Sequence, residues 1–116
     1  MLALDPPMML MDEPFGSLDA LTRRTMQDEL LRIWMEFRKT IIFVTHGIEE
    51  SIYLADRVAV MTYRPGTIKE IVPIRLSRPR DVSSPDFIGL QTKLTKLVME
   101  EQMRHSKEEI EVSGDK

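Results

Sequence analysis

The sequence predicts an α/β fold, with a partial parallel sheet, an antiparallel hairpin at the edge of that sheet and a helix at the carboxyl end. Two unbroken apolar runs, residues 8–11 and 41–44, are typical of strands buried on both faces of a parallel sheet. A long amphipathic segment separates them, as in a strand–helix–strand unit. The 116 residues suffice for one small domain at most.

Composition narrows the possible functions. The chain is 42% hydrophobic and 30% charged, which is typical of a soluble globular protein and not of a disordered one. The formal charge of −3 provides no basic surface, so no nucleic-acid partner is predicted. Cysteine is absent, which excludes disulfides and thiolate metal sites. No apolar run is long enough to span a bilayer, and the first residues do not resemble a signal peptide.

The first apolar run ends in two adjacent acids, Asp12 and Glu13. Open α/β sheets bind their ligands at the carboxyl ends of the strands. Neighbouring carboxylates repel each other, so a cation or a catalytic task would account for the pair. Asp12 suits a hard cation such as Mg²⁺, bound directly or through water, and Glu13 could accept a proton from an attacking water. The alternatives are a turn or capping aspartate and a surface glutamate.

The residues after the acids predict a sharp turn and a long helix. Pro14 and Gly16 turn the chain, and Ser17 or Asp19 can cap a helix over about residues 20–38. Apolar side chains recur along that helix at helical spacing and form one stripe, which comprises Leu21, Met26, Leu30, Trp34 and Phe37.

The second apolar run ends at Thr45, His46 and Gly47. A short helix over residues 48–55 and a third strand over residues 57–62 follow. The sequence Arg-Pro-Gly at 64–66 predicts a turn, because proline presets its first central position and glycine tolerates the positive φ that follows. Residues 67–74 complete the hairpin at the margin of the sheet.

The remaining residues predict a linker, a helix and a tail. Prolines at 73, 79 and 85 interrupt the chain and indicate a linker. Ser84, Pro85 and Asp86 form a helix start, with a capping side chain, a proline at the first position and an acid in the first turn. Apolar periodicity ends near Met103, so residues 106–116 are predicted to be a disordered tail.

In their order and spacing, these motifs resemble those of the ATP-binding-cassette (ABC) transporter ATPases. Residues 8–12 followed by Glu13 are similar to the Walker B motif, residues 17–19 to the D-loop, and residues 41–46 to the strand and switch histidine of the H-loop. The resemblance covers residues 1–75 well and the remainder loosely. It implies a sheet of the P-loop NTPase type.

The family's roles carry over to the matching positions. The resemblance implies that Asp12 holds Mg²⁺, that Glu13 is the catalytic glutamate and that His46 contacts the γ-phosphate of ATP. All three would therefore bind the nucleotide. Ser17, Leu18 and Asp19 would lie at a dimer interface, and Asp19 could cap the helix as well. Without the resemblance, His46 would be only a polar residue at a strand end.

The resemblance also implies a function, partners and a location. It indicates an ATP-hydrolysing subunit of an ABC importer that powers solute uptake with ATP and Mg²⁺. Residues 64–66, 77–80 and 84–87 are similar to the nitrate, sulfonate and taurine importer branch. The implied partners are a second ATPase subunit, membrane permease subunits and, indirectly, a solute-binding protein. The implied location is cytoplasmic, on the inner face of the cell membrane.

Three of the family's motifs are missing. The sequence contains neither the phosphate loop Gly-x-x-x-x-Gly-Lys-Ser/Thr nor the glycine-rich signature motif nor the glutamine loop. We therefore expect residues 1–75 to correspond to the carboxyl-terminal half of an ATPase domain, and residues 76–105 to its linker and last helix. A truncated non-catalytic product and a non-transport ABC-type ATPase, such as a DNA-repair ATPase, are the alternatives. An in-frame phosphate loop encoded upstream would argue against a truncated product.

The chain by itself should not bind ATP tightly. The backbone amides and the lysine that cradle phosphates in this family are absent from it, and Asp12 cannot replace them. Calorimetric titration with Mg-ATP should detect no binding at a protein concentration of about micromolar. A dissociation constant in that range would contradict this prediction.

Overall fold

The computed structural model describes residues 8–63 and 66–114 and confirms the α/β class. Its elements, in chain order, are β1 (Met8–Asp12), α1 (Ala20–Phe37), β2 (Thr40–Val44), α2 (Ile48–Leu54), β3 (Arg57–Met61), β4 (Ile68–Pro73) and α3 (Pro85–Gly114). The chain divides into two compact units between Gly47 and Ile48. The predicted assignment of residues 1–75 to an ATPase half and of residues 76–105 to its linker and last helix stays a prediction.

The first unit contains the predicted strand–helix–strand arrangement. β1 and β2 pair in parallel, from Met8 opposite Thr40 to Asp12 opposite Val44. α1 joins them and ends at Arg38, whose φ of 52° is left-handed and whose backbone N–H donates to the carbonyl of Trp34 at 2.7 Å. A left-handed residue is the usual way in which a helix ends, because it redirects the chain while it satisfies a free carbonyl.

The strands of this unit are more exposed than an apolar parallel sheet normally is. Met8, Met9 and Leu10 are 53%, 36% and 72% exposed, although the sequence predicts burial on both faces. On β2, Ile42 and Val44 are also exposed. The physical reason is that, among the described residues, β1 and β2 form a sheet of two strands, so each has a single strand neighbour. The apolar pattern identified the strands correctly. If the chain is half of an ATPase domain, both strands should be partly uncovered, and their exposure agrees with that expectation.

The second unit contains the predicted hairpin. β3 and β4 pair antiparallel, from Arg57 opposite Pro73, with an irregularity between Val60 and Met61. They form a two-stranded sheet of their own, so the prediction that they form the margin of the parallel sheet was wrong. Of the predicted turn, residues 64 and 65 lie outside the described residues, and Gly66 has the expected positive φ, at 80°. The most deeply buried side chains of this unit are Ile52, Val72, Phe87 and Leu94.

The segment between β4 and α3 is packed, although the sequence predicts a linker there. The Arg80 guanidinium is buried and donates to the carbonyls of Ile52 at 2.7 Å and Ala55 at 2.5 Å. Arg78 donates to the carbonyl of Leu54 at 2.7 Å. The two arginines therefore satisfy carbonyls at the end of α2, which a helix leaves without partners of its own. Burial, followed by the charge of Arg78, lowers the pKa of Arg80 to about 10, so Arg80 remains charged at neutral pH.

α3 begins where the sequence predicts and ends later. The hydroxyl of Ser84 accepts a hydrogen bond from the backbone N–H of Phe87 at 3.2 Å, which is an N-cap. The helix then continues to Gly114, through most of the segment that was predicted to be disordered. Lysine and glutamate have high helix propensity, and adding residues to an existing helix costs less than starting one. Within residues 8–63 and 66–114, no helix combines the length and apolarity needed to cross a membrane.

We predict that the isolated chain is marginally stable and self-associates. Exposed apolar strands with unpaired edges favour aggregation, and β1 and β2 have both features in this chain. Purified protein should bind the dye ANS strongly and elute as a mixture of sizes on gel filtration. A sharp two-state thermal transition from a monodisperse monomer would contradict the prediction.

Candidate functional site

The candidate site lies where β1 and β2 end. Their parallel register sets Asp12 opposite Val44, so Glu13 and the residues after Val44 leave the sheet at the same edge. His46 lies two residues beyond Val44. The structure thus brings together the Walker B and H-loop residues that the sequence singled out, although they are 33 residues apart. This is the edge at which parallel sheets bind ligands.

Three hydrogen bonds hold Glu13 in place. Its backbone N–H donates to the Val44 carbonyl at 2.7 Å, and its carbonyl accepts from the Gly16 N–H at 3.3 Å. Its carboxylate Oε1 accepts from the backbone N–H of His46 at 2.7 Å. The φ of Glu13 is 47°, in the left-handed region that residues other than glycine rarely adopt. A conformation of this kind persists where the surroundings impose it, and such residues cluster at functional sites.

The imidazole of His46 does not share this contact. Its Nε2 is 3.8 Å from Glu13 Oε1, which is too long for a hydrogen bond, and its side chain is 98% exposed. Glu13 and His46 are therefore joined through the backbone amide, while the ring faces solvent. The Thr45 hydroxyl accepts from the Gly47 N–H at 2.9 Å, which fixes the turn that presents the ring.

The loop between β1 and α1 is anchored at both of its ends. Phe15 is buried, and its ring lies against that of Phe43 with centroids 6.0 Å apart. Asp19 caps α1, because its Oδ1 accepts from the Thr22 N–H at 2.7 Å. Hydrogen bonds from the Thr22 side chain and backbone lower the pKa of Asp19, so Asp19 is ionised at neutral pH. The capping role of Asp19 is thus confirmed.

The predicted contact of Ser17, Leu18 and Asp19 with a second subunit stays a prediction. Ser17 is exposed and Leu18 is half-buried.

Sequence reasoning missed Arg23. The guanidinium of Arg23 donates to the Phe15 carbonyl through Nε at 3.2 Å and to the Leu18 carbonyl through Nη2 at 2.6 Å. The local signal is a cation one turn into the helix that follows the loop after the two acids. In the sequence, Arg23 cannot be distinguished from an ordinary solvated arginine. Only the structure shows that the loop folds back towards its guanidinium.

Asp12 fits a magnesium ion that is shared with a substrate. Within residues 8–63 and 66–114, no three metal-binding side chains lie close enough together to form a complete cage. Asp12 is an exposed carboxylate at the strand end. Mg²⁺ usually keeps several waters and takes one or two carboxylates together with substrate phosphates. The donors present therefore fit a partly hydrated, phosphate-bound Mg²⁺ and not one held by protein alone.

Comparison with known proteins identifies the family, although no protein-family model matches the chain. Over 106 residues, 91% of its length, the chain is 51% identical to an uncharacterized ABC transporter ATP-binding protein of Methanocaldococcus jannaschii. Over 92 residues, 79% of its length, it is 48% identical to an aliphatic sulfonates import ATP-binding protein of Bacillus licheniformis. Over 103 residues, 86% of its length, it is 46% identical to a putative ATP-binding protein of Brucella melitensis.

These relatives are considerably longer than the chain. The matches cover 40%, 36% and 44% of the three proteins, respectively. Two of these three relatives are named as ATP-binding proteins of transporters. The chain belongs to the ABC transporter ATP-binding family and spans about two fifths of the length of these relatives.

Proposed function

We propose that this chain is the segment of an ABC importer's ATPase subunit that supplies the magnesium-binding acid, the catalytic glutamate and the switch histidine. The observation that carries the proposal is the 2.7 Å hydrogen bond between the Glu13 carboxylate and the His46 backbone amide. It joins two motifs at the ligand-binding edge of a parallel sheet.

Glu13 has the geometry of a residue that orients and activates water. One carboxylate oxygen is occupied by the His46 amide, which fixes the direction of the group. The other oxygen can accept a proton from an attacking water. Phosphoryl transfer depends mainly on positioning and charge neutralisation, so a rigidly held carboxylate is what the reaction requires.

The other two site residues would act on the nucleotide. The exposed ring of His46 can donate a hydrogen bond to the terminal phosphate. Asp12 would hold Mg²⁺, which neutralises phosphate charge when it is bound. Turnover also requires a phosphate-binding loop, which these 116 residues do not include. The reaction is therefore assigned to a complete protein that contains this segment.

We further propose import of a sulfonate, nitrate or taurine-type solute. One relative carries an aliphatic-sulfonate import name, and residues 64–66, 77–80 and 84–87 resemble that importer branch. The same function entails a second ATPase subunit, which residues 17–19 would contact. It also entails membrane permease subunits, a solute-binding protein acting through them, and a position on the inner face of the cell membrane.

In a complete ATPase that carries this segment, Glu13→Gln should nearly abolish ATP turnover and leave ATP binding intact. Glutamine keeps the size and hydrogen-bonding reach of glutamate but cannot accept the proton, so a closed nucleotide-bound dimer should accumulate. Steady-state hydrolysis, nucleotide binding and gel filtration with ATP measure the three effects. Glu36→Gln is the matched control, because Glu36 is an exposed glutamate of α1 near Arg32.

The other two site residues should have separable effects. His46→Ala should slow turnover without trapping the dimer, because it removes a phosphate contact and not the base. Asp12→Asn should weaken the response to Mg²⁺, because a ligand charge is lost. If folded Glu13→Gln protein hydrolysed ATP at the parent rate, Glu13 would not be the catalytic glutamate.

A further inference from the structure

The loop over residues 13–19 contains two parts of the proposed ATPase site, the catalytic glutamate and the segment at the dimer interface. Glu13 begins the loop, and the Ser17–Asp19 segment ends it. Hydrogen bonds fix Glu13 to the ends of the strands, and Asp19 fixes the other end to α1. The middle of the loop follows the proline Pro14 and reverses direction there. The shape of the loop therefore depends on which groups bind the backbone carbonyls of residues 15–18.

Arg23 holds two of those carbonyls. Its Nε donates to the Phe15 carbonyl at 3.2 Å and its Nη2 to the Leu18 carbonyl at 2.6 Å. A guanidinium is planar and presents its donors in a rigid fork, so two carbonyls on one guanidinium have a fixed separation. The backbone N–H of Arg23 also donates to the Asp19 carbonyl at 2.8 Å. Side chain and backbone of Arg23 together contact three residues of the loop.

The contacts of Phe15 extend this restraint to Glu13. The Phe15 ring packs against the ring of Phe43 in β2. Phe15 is therefore held both at its ring, by Phe43, and at its carbonyl, by Arg23. Phe15 is two residues from Glu13, and the intervening turn is closed by the Gly16 N–H donating to the Glu13 carbonyl. Because Glu13 has a left-handed φ, the loop must oppose its relaxation to an ordinary conformation.

We propose that Arg23 is a positioning residue that holds residues 13–18 in the shape in which the Glu13 carboxylate meets the His46 amide. The same hydrogen bonds of Arg23 connect the part of the loop next to Glu13 with the Ser17–Asp19 segment. Its catalytic consequence rests on the proposed ATPase function, whereas its effect on the loop does not. The simpler role, stabilising the start of α1, is already performed by the Asp19 cap on Thr22.

Hydrogen exchange on a complete ATPase that carries this segment tests the effect on the loop. In Arg23→Gln, the Gly16 and Leu18 amides should exchange at least about tenfold faster, since about 1.4 kcal/mol of lost restraint corresponds to tenfold. The amides of α1 beyond its first turn should exchange at the parent rate. Arg32→Gln is the matched control, because Arg32 is on the same helix, is exposed and pairs with Glu29. It should change neither set of amides.

Arg23→Lys completes the test. Lysine keeps the charge but lacks the fork, so it should restore only part of the loop protection. If Arg23→Gln unfolds α1 as well, exchange in the Arg23→Lys variant is compared with the parent instead. Faster exchange confined to the loop then supports the proposal. Parent-like loop exchange, or equal acceleration in the loop and α1, overturns it.

Kinetics in a complete ATPase that carries this segment tests the catalytic consequence. Arg23→Gln should lower kcat about 10- to 100-fold, since displacement of a catalytic group by about 1 Å costs up to about 100-fold. KM for ATP should remain within about twofold, because Arg23 contacts loop carbonyls and not the nucleotide-binding residues. Arg23→Lys should recover part of kcat, and Arg32→Gln should match the parent.

The two proposals can fail separately. An active Glu13→Gln variant would overturn the proposed function, while loop exchange would still report on Arg23. An inactive Glu13→Gln variant together with parent-like kcat in Arg23→Gln would overturn the positioning role alone.

Discussion

The site depends on the two hydrogen bonds that join Glu13 to the end of β2. One runs from its backbone N–H to the Val44 carbonyl, and the other from the His46 N–H to its carboxylate. Hydrogen bonds to charged groups contribute about 1.5–3 kcal/mol each, and a left-handed residue other than glycine costs about 1–3 kcal/mol. The carboxylate contact is thus large enough to offset the backbone strain at the same residue. Removing the carboxylate would remove both the proposed catalytic group and one of the contacts that hold Glu13 in its unusual conformation.

The two units differ in how completely they bury their apolar side chains. In the second unit, Ile52, Val72, Phe87 and Leu94 are almost fully buried between the hairpin and its helices. In the first unit, the strands that end at the site expose much of their apolar surface. Burial contributes about 25 cal/mol for each Å² of apolar surface removed from water, so exposed strands forgo much of that stabilisation. The residues with the greatest functional interest therefore lie in the less stabilised part of the chain.

Local signals in the sequence were enough to predict most elements. Strands β1 and β2 were found from unbroken apolar runs, α1 from its stripe and its Asp19 cap, and the start of α3 from Ser84 and Pro85. The order of the motifs also identified the residues that meet at the site. The signals for the strands and helices lie within a few residues of the features they predict, which is why sequence alone could detect them. Glu13 and His46 were associated through the family resemblance, because they are 33 residues apart.

The missed features depend on side-chain and backbone contacts that form only when the chain folds back on itself, either from a distant segment or within one loop. Arg80 lies in a proline-interrupted segment that is typical of a linker. Its guanidinium nevertheless binds two carbonyls at the end of α2, which are 28 and 25 residues earlier in the chain. The left-handed φ of Glu13 is imposed by Val44 and His46 across the sheet. Arg23 became recognisable only when the loop was seen to turn back onto α1. Composition and periodicity contain no information on such partners.

The protection of the His46 amide tests the central contact most directly. Residue-resolved hydrogen exchange, on a complete ATPase that carries this segment, would compare the parent protein with Glu13→Ala and Asp12→Ala, which remove adjacent carboxylates. The account predicts that His46 N–H is protected in the parent, exchanges much faster in Glu13→Ala and is unchanged in Asp12→Ala, because only Glu13 accepts its hydrogen bond. Equal exchange of the His46 amide in the parent and in Glu13→Ala would show that Glu13 is not held there and would contradict the account.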